Sequence, residues 1–388
     1  MKGTISTGRR TLCVLGVAIV AGAMLLSACS SVSDSSGKAD VVDLSAEQQA
    51  VLQAGYDGEG LEKPTPDGPG AQADKKVWVI SCGEAYQACA LLSSSYAEAG
   101  KELGWSVNLA DGKADPSVAT GLIRQAVAAK ADGIAVFGFD CPGIKSGLQS
   151  AKSAGIPVVQ FTSVDCDDEA FGSGDPLFTA GVSILGSQNI KDYYLKWGAA
   201  RAEYVAALMG GEGKLLEIAN TDQRAQQYSN QGFEEQFEKS CPDCELVKVP
   251  FTFSQVPREA TAAWTSALMQ NPDATAVATG IDSLMGLGLQ TALKQANFQG
   301  IIAGGEGLNL DLVRQGVQDT ETVMPYGLIA WGLADTLNRL FAGESPADLP
   351  SQGGGWQFLD KDHNLPAEGD QWEPPFDYRQ IYRTMWKG

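Results

Sequence analysis

His363 is the only histidine of the chain and stands in a polar stretch near the C-terminus. Catalysis of the Ser-His-Asp type, and zinc sites built on paired histidines, need that residue beside a nucleophile or a second ligand. No GxSxG, HExxH or Gly-Lys-Ser phosphate-binding run occurs. Asp282 and Glu306 could in principle share acid and base roles on a glycoside, but nothing in their spacing makes them a pair. The residues therefore point away from an enzyme. The cysteines offer different chemistry. Cys241-Pro242-Asp243-Cys244 has the spacing of a redox pair, of half a zinc site, or of a short structural disulfide. A redox CxxC opens a helix that follows a strand, whereas this one follows an expected helix and precedes an expected strand. Zinc would need a second cysteine pair or a nearby histidine. The disulfide is the favoured reading, and no metal or cofactor is expected.

The N-terminus bears on whether disulfides are admissible. Lys2, Arg9 and Arg10 make a basic start, residues 12–26 are apolar, and Leu26-Ser27-Ala28-Cys29 follows. A basic region, a short apolar core and small residues before a cut make an export signal, here residues 1–28. The apolar run falls short of the ~20 residues that span a bilayer. Leu-Ser-Ala-Cys resembles the bacterial lipobox. That resemblance implies cleavage before Cys29, lipidation of Cys29, and a chain held to the outer face of the cell membrane by its lipid alone. The Arg9-Arg10 pair raises twin-arginine export, which Thr11-Leu12-Cys13 fits poorly. Residues 29–74 then read as a tether and a short N-terminal extension. Ser30 to Gly37 is too polar for a core, a short helix over 44–54 begins at Ser45, and the Pro- and Gly-rich stretch from Glu62 to Gly70 breaks regular structure. The folded body is expected to begin near Lys75.

With Cys13 lost in the signal and Cys29 lipidated, an even set of cysteines remains, which in an exported chain suggests disulfides. Short separations favour Cys82 with Cys89 and Cys241 with Cys244. Cys141 and Cys166 each follow an expected strand. Neighbouring parallel strands lie ~4.8 Å apart, so loops leaving one edge can meet the ~4.4–6.8 Å Cα separation that a disulfide needs. The net charge of −19 argues against nucleic acid, whose binding rests on Lys and Arg contacts to phosphate, and against anionic headgroups.

Beyond the tether about 310 residues remain, room for two domains at ~100–200 residues each. Short apolar runs alternate with segments of helical spacing. Strands are expected at 77–81, 106–109, 133–137, 157–161 and 181–185, with helices at 88–103, 116–129 and 143–154 between them. After a longer helix over 190–209 the alternation resumes. Strands are expected at 214–219, 246–249, 274–278, 300–303 and 322–324, and helices at 226–240, 258–270, 284–296, 310–315 and 330–341. This is the signature of parallel strands in βαβ units, twice over, each unit with its ligand edge at the carboxyl ends of its strands.

Several stretches add a resemblance. Val77-Trp78-Val79-Ile80-Ser81 leads into a helix, and Gly133-Ile134-Ala135-Val136-Phe137 into a polar loop and a helix. Ala154-Gly155-Ile156-Pro157-Val158-Val159, Gln231-Gly232-Phe233-Glu234 and Asn271-Pro272-Asp273-Ala274 follow at matching intervals. In order and spacing, residues 76–345 resemble the type I periplasmic binding proteins of the ribose, galactose and xylose group. The resemblance implies an α/β protein of two doubly wound parallel-sheet domains joined by a three-strand hinge, with the ligand between them. Residues 75–187 plus 327–355 would form the N-terminal domain and 188–326 plus 356–388 the C-terminal one. It also implies capture of a small polar ligand, a monosaccharide or polyol, and delivery to the permease of an ABC importer by a monomer. Presentation of the ligand to a sensory receptor is the alternative.

Sugar-like ligands need carboxylates and amides for their hydroxyls and aromatic rings for their C–H faces. Candidates at the strand ends of the first domain are Glu84, Tyr86, Asp140, Thr162 and Ser163. In the second they are Asp222, Arg224, Gln227, Phe253, Asp282, Glu306 and Tyr326. Asp140 and Asp282 also suit helix caps, and Trp264 and Trp331 fall inside expected helices, where they would pack. By resemblance, the acidic residue after the strand ending near Ala303, Glu306, receives ligand hydroxyls. The chain departs from the ribose-type pattern in three places: Thr162-Ser163 replaces an Asp-Arg pair, Gln227 stands nearest an expected arginine, and the Cys82–Cys89 loop replaces an aromatic pair. These departures leave a different sugar or a polyol as admissible as ribose.

Overall fold

The structure, a computed structural model, describes residues 44–187 and 189–388. The export signal and Cys29 lie outside the described residues. The strands are β1 (Lys76–Ser81), β2 (Ser106–Asp111), β3 (Gly133–Phe137), β4 (Val158–Phe161), β5 (Ala180–Gly181), β6 (Gly213–Asn220), β7 (Cys244–Phe251), β8 (Ala276–Thr279), β9 (Ile301–Ala303), β10 (Thr320–Val323) and β11 (Gln357–Asp360). The helices are α1 (Ala46–Asp57), α2 (Gln87–Glu102), α3 (Pro116–Ala128), α4 (Cys141–Ser153), α5 (Ile190–Leu208), α6 (Arg224–Ser240), α7 (Arg258–Gln270), α8 (Gln290–Gln295), α9 (Leu310–Arg314), α10 (Tyr326–Phe341) and α11 (Tyr378–Lys387).

Two sheets form two lobes. Lobe one has the order β2-β1-β3-β4-β5, all parallel; lobe two has β11-β10-β9-β8-β6-β7, parallel except for the antiparallel β10/β11 pair. Central strands such as β3 are buried along their whole length, as strands covered on both faces by helices must be. Local chemistry starts the helices where the sequence suggests. Asp115 accepts from Ser117 N and Val118 N at the head of α3, with Pro116 in the first turn. Trp264 and Trp331 are fully buried in α7 and α10. Among the described residues no helix is long and apolar enough to cross a membrane.

Four expectations need correction. The strand expected at 181–185 shrinks to Ala180–Gly181, because the chain turns at Leu185 and Gly186, both at positive φ. The helix expected over 284–296 breaks at Leu287 and Gly288. Gly288 has φ +126°, and a Cβ there would collide with Thr261 Oγ1, so the break needs glycine. The body does not begin near Lys75. Helix α1, capped by a reciprocal Ser45–Gln48 box, packs on α5 and β11 through Leu52, Tyr204 and Phe358. The tail, expected to join lobe two, divides between the lobes. Strand β11 closes the lobe-two sheet, whereas α11 lies on α10 with its Trp386 ring stacked on Trp331 at 5.4 Å.

Residues 182–187, 324–325 and 342–356 pass between the lobes. Two further passages accompany them. Residues 58–75 run from α1 to β1 and hydrogen-bond through Glu62 N to Gly354 O and through Ala71 N to Trp386 O. Residues 361–377 run from β11 back to α11.

Candidate functional site

The carboxyl ends of both sheets face one cavity of about 420 Å³. That is within the ~300–1,000 Å³ that holds a small-molecule ligand. Seven of the sequence candidates line it: Tyr86, Asp140 and Thr162 from lobe one, and Asp222, Phe253, Glu306 and Tyr326 from lobe two and its junction with α10.

The other five are placed elsewhere. Glu84 lines a neighbouring cavity that shares Glu306 and Tyr326. Ser163 turns inward, where its Oγ accepts from Phe139 N at 3.1 Å. Gln227 donates to Thr221 O and accepts from Arg224. Asp282 lies beneath the floor, accepting from Gly305 N at 3.0 Å and Leu308 N at 2.8 Å. Arg224 stacks over the Tyr228 ring, 4.2 Å from its centroid.

Residues the sequence reading passed over complete the wall. Phe139, Phe171, Tyr194, Gln223, Gln226 and Ser283 all line the cavity. Gln223 and Gln226 were within reach of sequence reasoning, since they sit at the start of α6 beside Asp222 and Arg224. Phe171 was not, because it comes from a short turn in the long loop after β4.

The three disulfides join Cys82 to Cys89, Cys141 to Cys166 and Cys241 to Cys244, with Cα atoms 5.5, 5.2 and 5.3 Å apart. The first forms part of the cavity wall. The second fastens the loop after β4 to the head of α4. Asp165 organises that loop by accepting from Leu177 N and Phe178 N. The loop carries Asp168, which reaches lobe two: Tyr228 donates to it, and Arg224 Nε lies 3.8 Å from it. Asp140 makes a second link between the lobes. Its Oδ1 accepts from Val164 N at 2.9 Å, and its Oδ2 accepts from Arg224 N, across the cleft, at 3.0 Å. The rings of Tyr86 and Phe253 meet across the cleft edge to face, 5.7 Å apart.

Burial shapes the charges here. It raises Asp140 to about 6, against the pull of the Arg224 and Val164 N–H groups. It raises Glu306 to about 8, helped by the nearby Asp282 charge and opposed by the Tyr326 hydroxyl, which donates to Glu306 at 2.7 Å. Deeper in lobe two, burial pushes Glu321 well above its ordinary value and raises Glu217 to about 8. Neither Glu217 oxygen has a partner among the described residues. Burial lowers Arg201 to about 10, while Glu217 and three other acids hold it up.

These shifts set a pH dependence. The unfolded carboxyls titrate near ~4.3, and each unit of difference is worth about 1.4 kcal/mol. Glu217 and Glu306 hold their protons to higher pH when folded, so their contribution to stability is complete below about pH 4.3. It is lost as pH rises through about 8. The melting temperature is therefore expected to fall between about pH 5 and about pH 8, less steeply in Glu217→Gln. A melting temperature that rose across that window would contradict the assignment.

Residues 91–345 match the family described as periplasmic binding protein domain. No curated protein matches this sequence. Among solved structures, an arabinose-binding protein from Geobacillus stearothermophilus is similar at 20% identity, with a TM-score of 0.60 over 75% of this chain and 97% of that one. An ABC transporter solute-binding protein from Mycobacterium smegmatis, with bound glycerol, is similar at 17% identity, with a TM-score of 0.61 over 77% and 99%. One from Actinobacillus succinogenes, with bound D-allose, is similar at 17% identity, with a TM-score of 0.59 over 74% and 98%. At such identities the likeness is one of fold.

Proposed function

The chain belongs to the periplasmic binding protein domain family, and from that premise we propose that it is an extracytoplasmic lipoprotein that captures a small neutral solute, a sugar or polyol, and delivers it to an ABC importer. The observation that carries this reading is the cavity between the lobes, walled from both at the carboxyl ends of their strands. A site divided in this way binds by closing, which excludes water and completes the contacts only when ligand is present. Carboxylates, amides and aromatic rings supply the partners that hydroxyls and C–H faces need. The large exposed apolar side chains among the described residues are Leu109 and Met269 alone. They form no broad apolar face, and the protein is read as a monomer that meets its permease through polar surface. Calorimetry against a panel of neutral sugars and polyols tests the function. At least one is expected to bind in the micromolar range or tighter, and a panel without a binder would defeat the sugar or polyol reading.

The anchor is a separate part of the proposal. Cys29, after Leu26-Ser27-Ala28, is read as the lipidated residue. Cys29→Ser is expected to shift the protein from the membrane fraction to the soluble exported fraction. Unchanged membrane retention would show that something else holds it there.

A further inference from the structure

Resting on the binding-protein reading above, a finer statement about the ligand comes from which groups in the cavity are still unoccupied. Its carboxyl-bearing members are Asp140, Asp222 and Glu306, the last of which burial keeps protonated up to about pH 8, and no Lys, Arg or His lines it. All three already accept hydrogen bonds from the protein. Asp140 is held by Val164 N and Arg224 N. Asp222 accepts from Asn220 Nδ2 at 2.6 Å and from Phe253 N at 3.1 Å. Glu306 accepts from the Tyr326 hydroxyl and from Asp282 N, each at 2.7 Å. The side chains of Gln223, Gln226, Thr162, Tyr194 and Ser283 line the same space and hydrogen-bond to nothing among the described residues. Gln226, Thr162 and Tyr194 are nearly buried, at 6%, 8% and 2% exposure. The side chains with no protein partner are thus neutral amides and hydroxyls, while each carboxyl group retains part of its acceptor capacity.

The rest of the wall is apolar. Tyr86 and Phe253 meet across the joint between the lobes, and Phe139, Leu92, Ile281 and the Cys82–Cys89 disulfide continue the surface. An anion enclosed here would face the carboxyl groups of Asp140, Asp222 and Glu306, of which Glu306 is buried, with no Lys, Arg or His on the wall to offset them. A fully hydroxylated sugar would satisfy some of its hydroxyls on the amides and leave others against rings and sulfur, where an unmade hydrogen bond is penalised.

We infer that the ligand is an uncharged ring compound with one hydrogen-bonding edge and one extended apolar part, the chemistry of a glycoside carrying a hydrophobic aglycone. The glutamine amides and the Thr162 and Tyr194 hydroxyls take the polar edge, and the Tyr86–Phe253 pair takes the apolar part.

The test is calorimetry on the intact exported protein with matched sets of compounds. The sets are D-glucose, D-galactose and D-xylose, their phenyl β-glycosides, the 6-phosphates of the two hexoses, and benzamide as a neutral ring without sugar. For whichever sugar configuration binds, the phenyl glycoside is expected to bind at least tenfold tighter and the phosphate at least a hundredfold weaker. Tyr86→Ala is expected to weaken the phenyl glycoside by a larger factor than the free sugar, so that the ratio between the two falls toward one. A free sugar that binds tighter than its glycoside, or a phosphate that binds as well as its parent, overturns the inference and leaves the sugar-binding reading standing. Benzamide binding with no sugar in either form does the reverse. Binding by none of them overturns both.

Discussion

Asp335→Ala is expected to destabilise the protein by ~3–5 kcal/mol, the range seen when one partner of a buried ion pair is removed. Asp335 is fully buried in α10. Its Oδ2 accepts from Arg339 Nε at 2.6 Å and Gln352 Nε2 at 3.1 Å, and its Oδ1 accepts from Trp386 Nε1 at 2.8 Å. Gln352 in turn accepts from the Tyr382 hydroxyl at 2.8 Å. One carboxylate therefore joins α10, the passage that leaves it and α11. Arg339 extends the network to the N-terminal passage by donating to Asp67 O at 2.5 Å. Alanine would leave the Arg339 guanidinium buried beside no counter-charge at that position and strand the donors of Trp386 and Gln352. Thermal or denaturant unfolding reads the loss, which should lower the melting temperature by on the order of 10 °C. Asp335→Leu combined with Arg339→Met removes both charges together and should recover part of it, because two well-packed apolar groups can replace a buried pair. A single-variant loss below ~1 kcal/mol, a surface-pair value, would show that α11 docks by ring stacking alone.

Asp140→Asn is expected to weaken ligand binding about ten- to a hundredfold, roughly 1.5–3 kcal/mol for a hydrogen bond to a charged group. The carboxylate accepts one backbone N–H from its own lobe and one, Arg224 N, from the other. An amide offers one acceptor oxygen and turns its NH₂ toward the second N–H, so one of these bonds is lost. The loss should appear mainly as faster dissociation, because the bond across the cleft exists only while the lobes are together. Asp168→Asn provides the control for mechanism. Asp168 receives the Tyr228 hydroxyl and approaches Arg224 from the other lobe, yet it does not line the ligand cavity. If Asp168→Asn also raises the dissociation rate, closure rather than ligand contact is the shared cause. If Asp140→Asn changes only the preference among ligands, Asp140 touches the solute directly.

Much of the architecture was legible because its signal is local. Short apolar runs such as Val77–Ser81 and Gly133–Phe137, separated by helical spacing, require parallel strands with helices on both faces. Ser45 announced α1, and the short separations announced two of the disulfides. Even α11 had a readable face, since Tyr378, Tyr382, Met385 and Trp386 recur at helical spacing and are all buried. What that face packs against was not readable, because α10 and its Asp335 lie about 50 residues away in the chain.

The cavity shows the same division more sharply. Residue types at strand ends marked the edge of each sheet that faces the cavity, since the topology leaves the gap there. Which of two neighbours turns inward was decided by the loop. Thr162 has φ +59° and lines the cavity, while the adjacent Ser163 turns under Phe139. Loops have no fixed period, so alternation gives no guide to direction there. The roles of the acids were decided at longer range still. Asp140 meets Arg224 N, and Asp168 meets Tyr228, only because two separately folded sheets come together. Their contacts are a property of that docking, and no short stretch of sequence carries it.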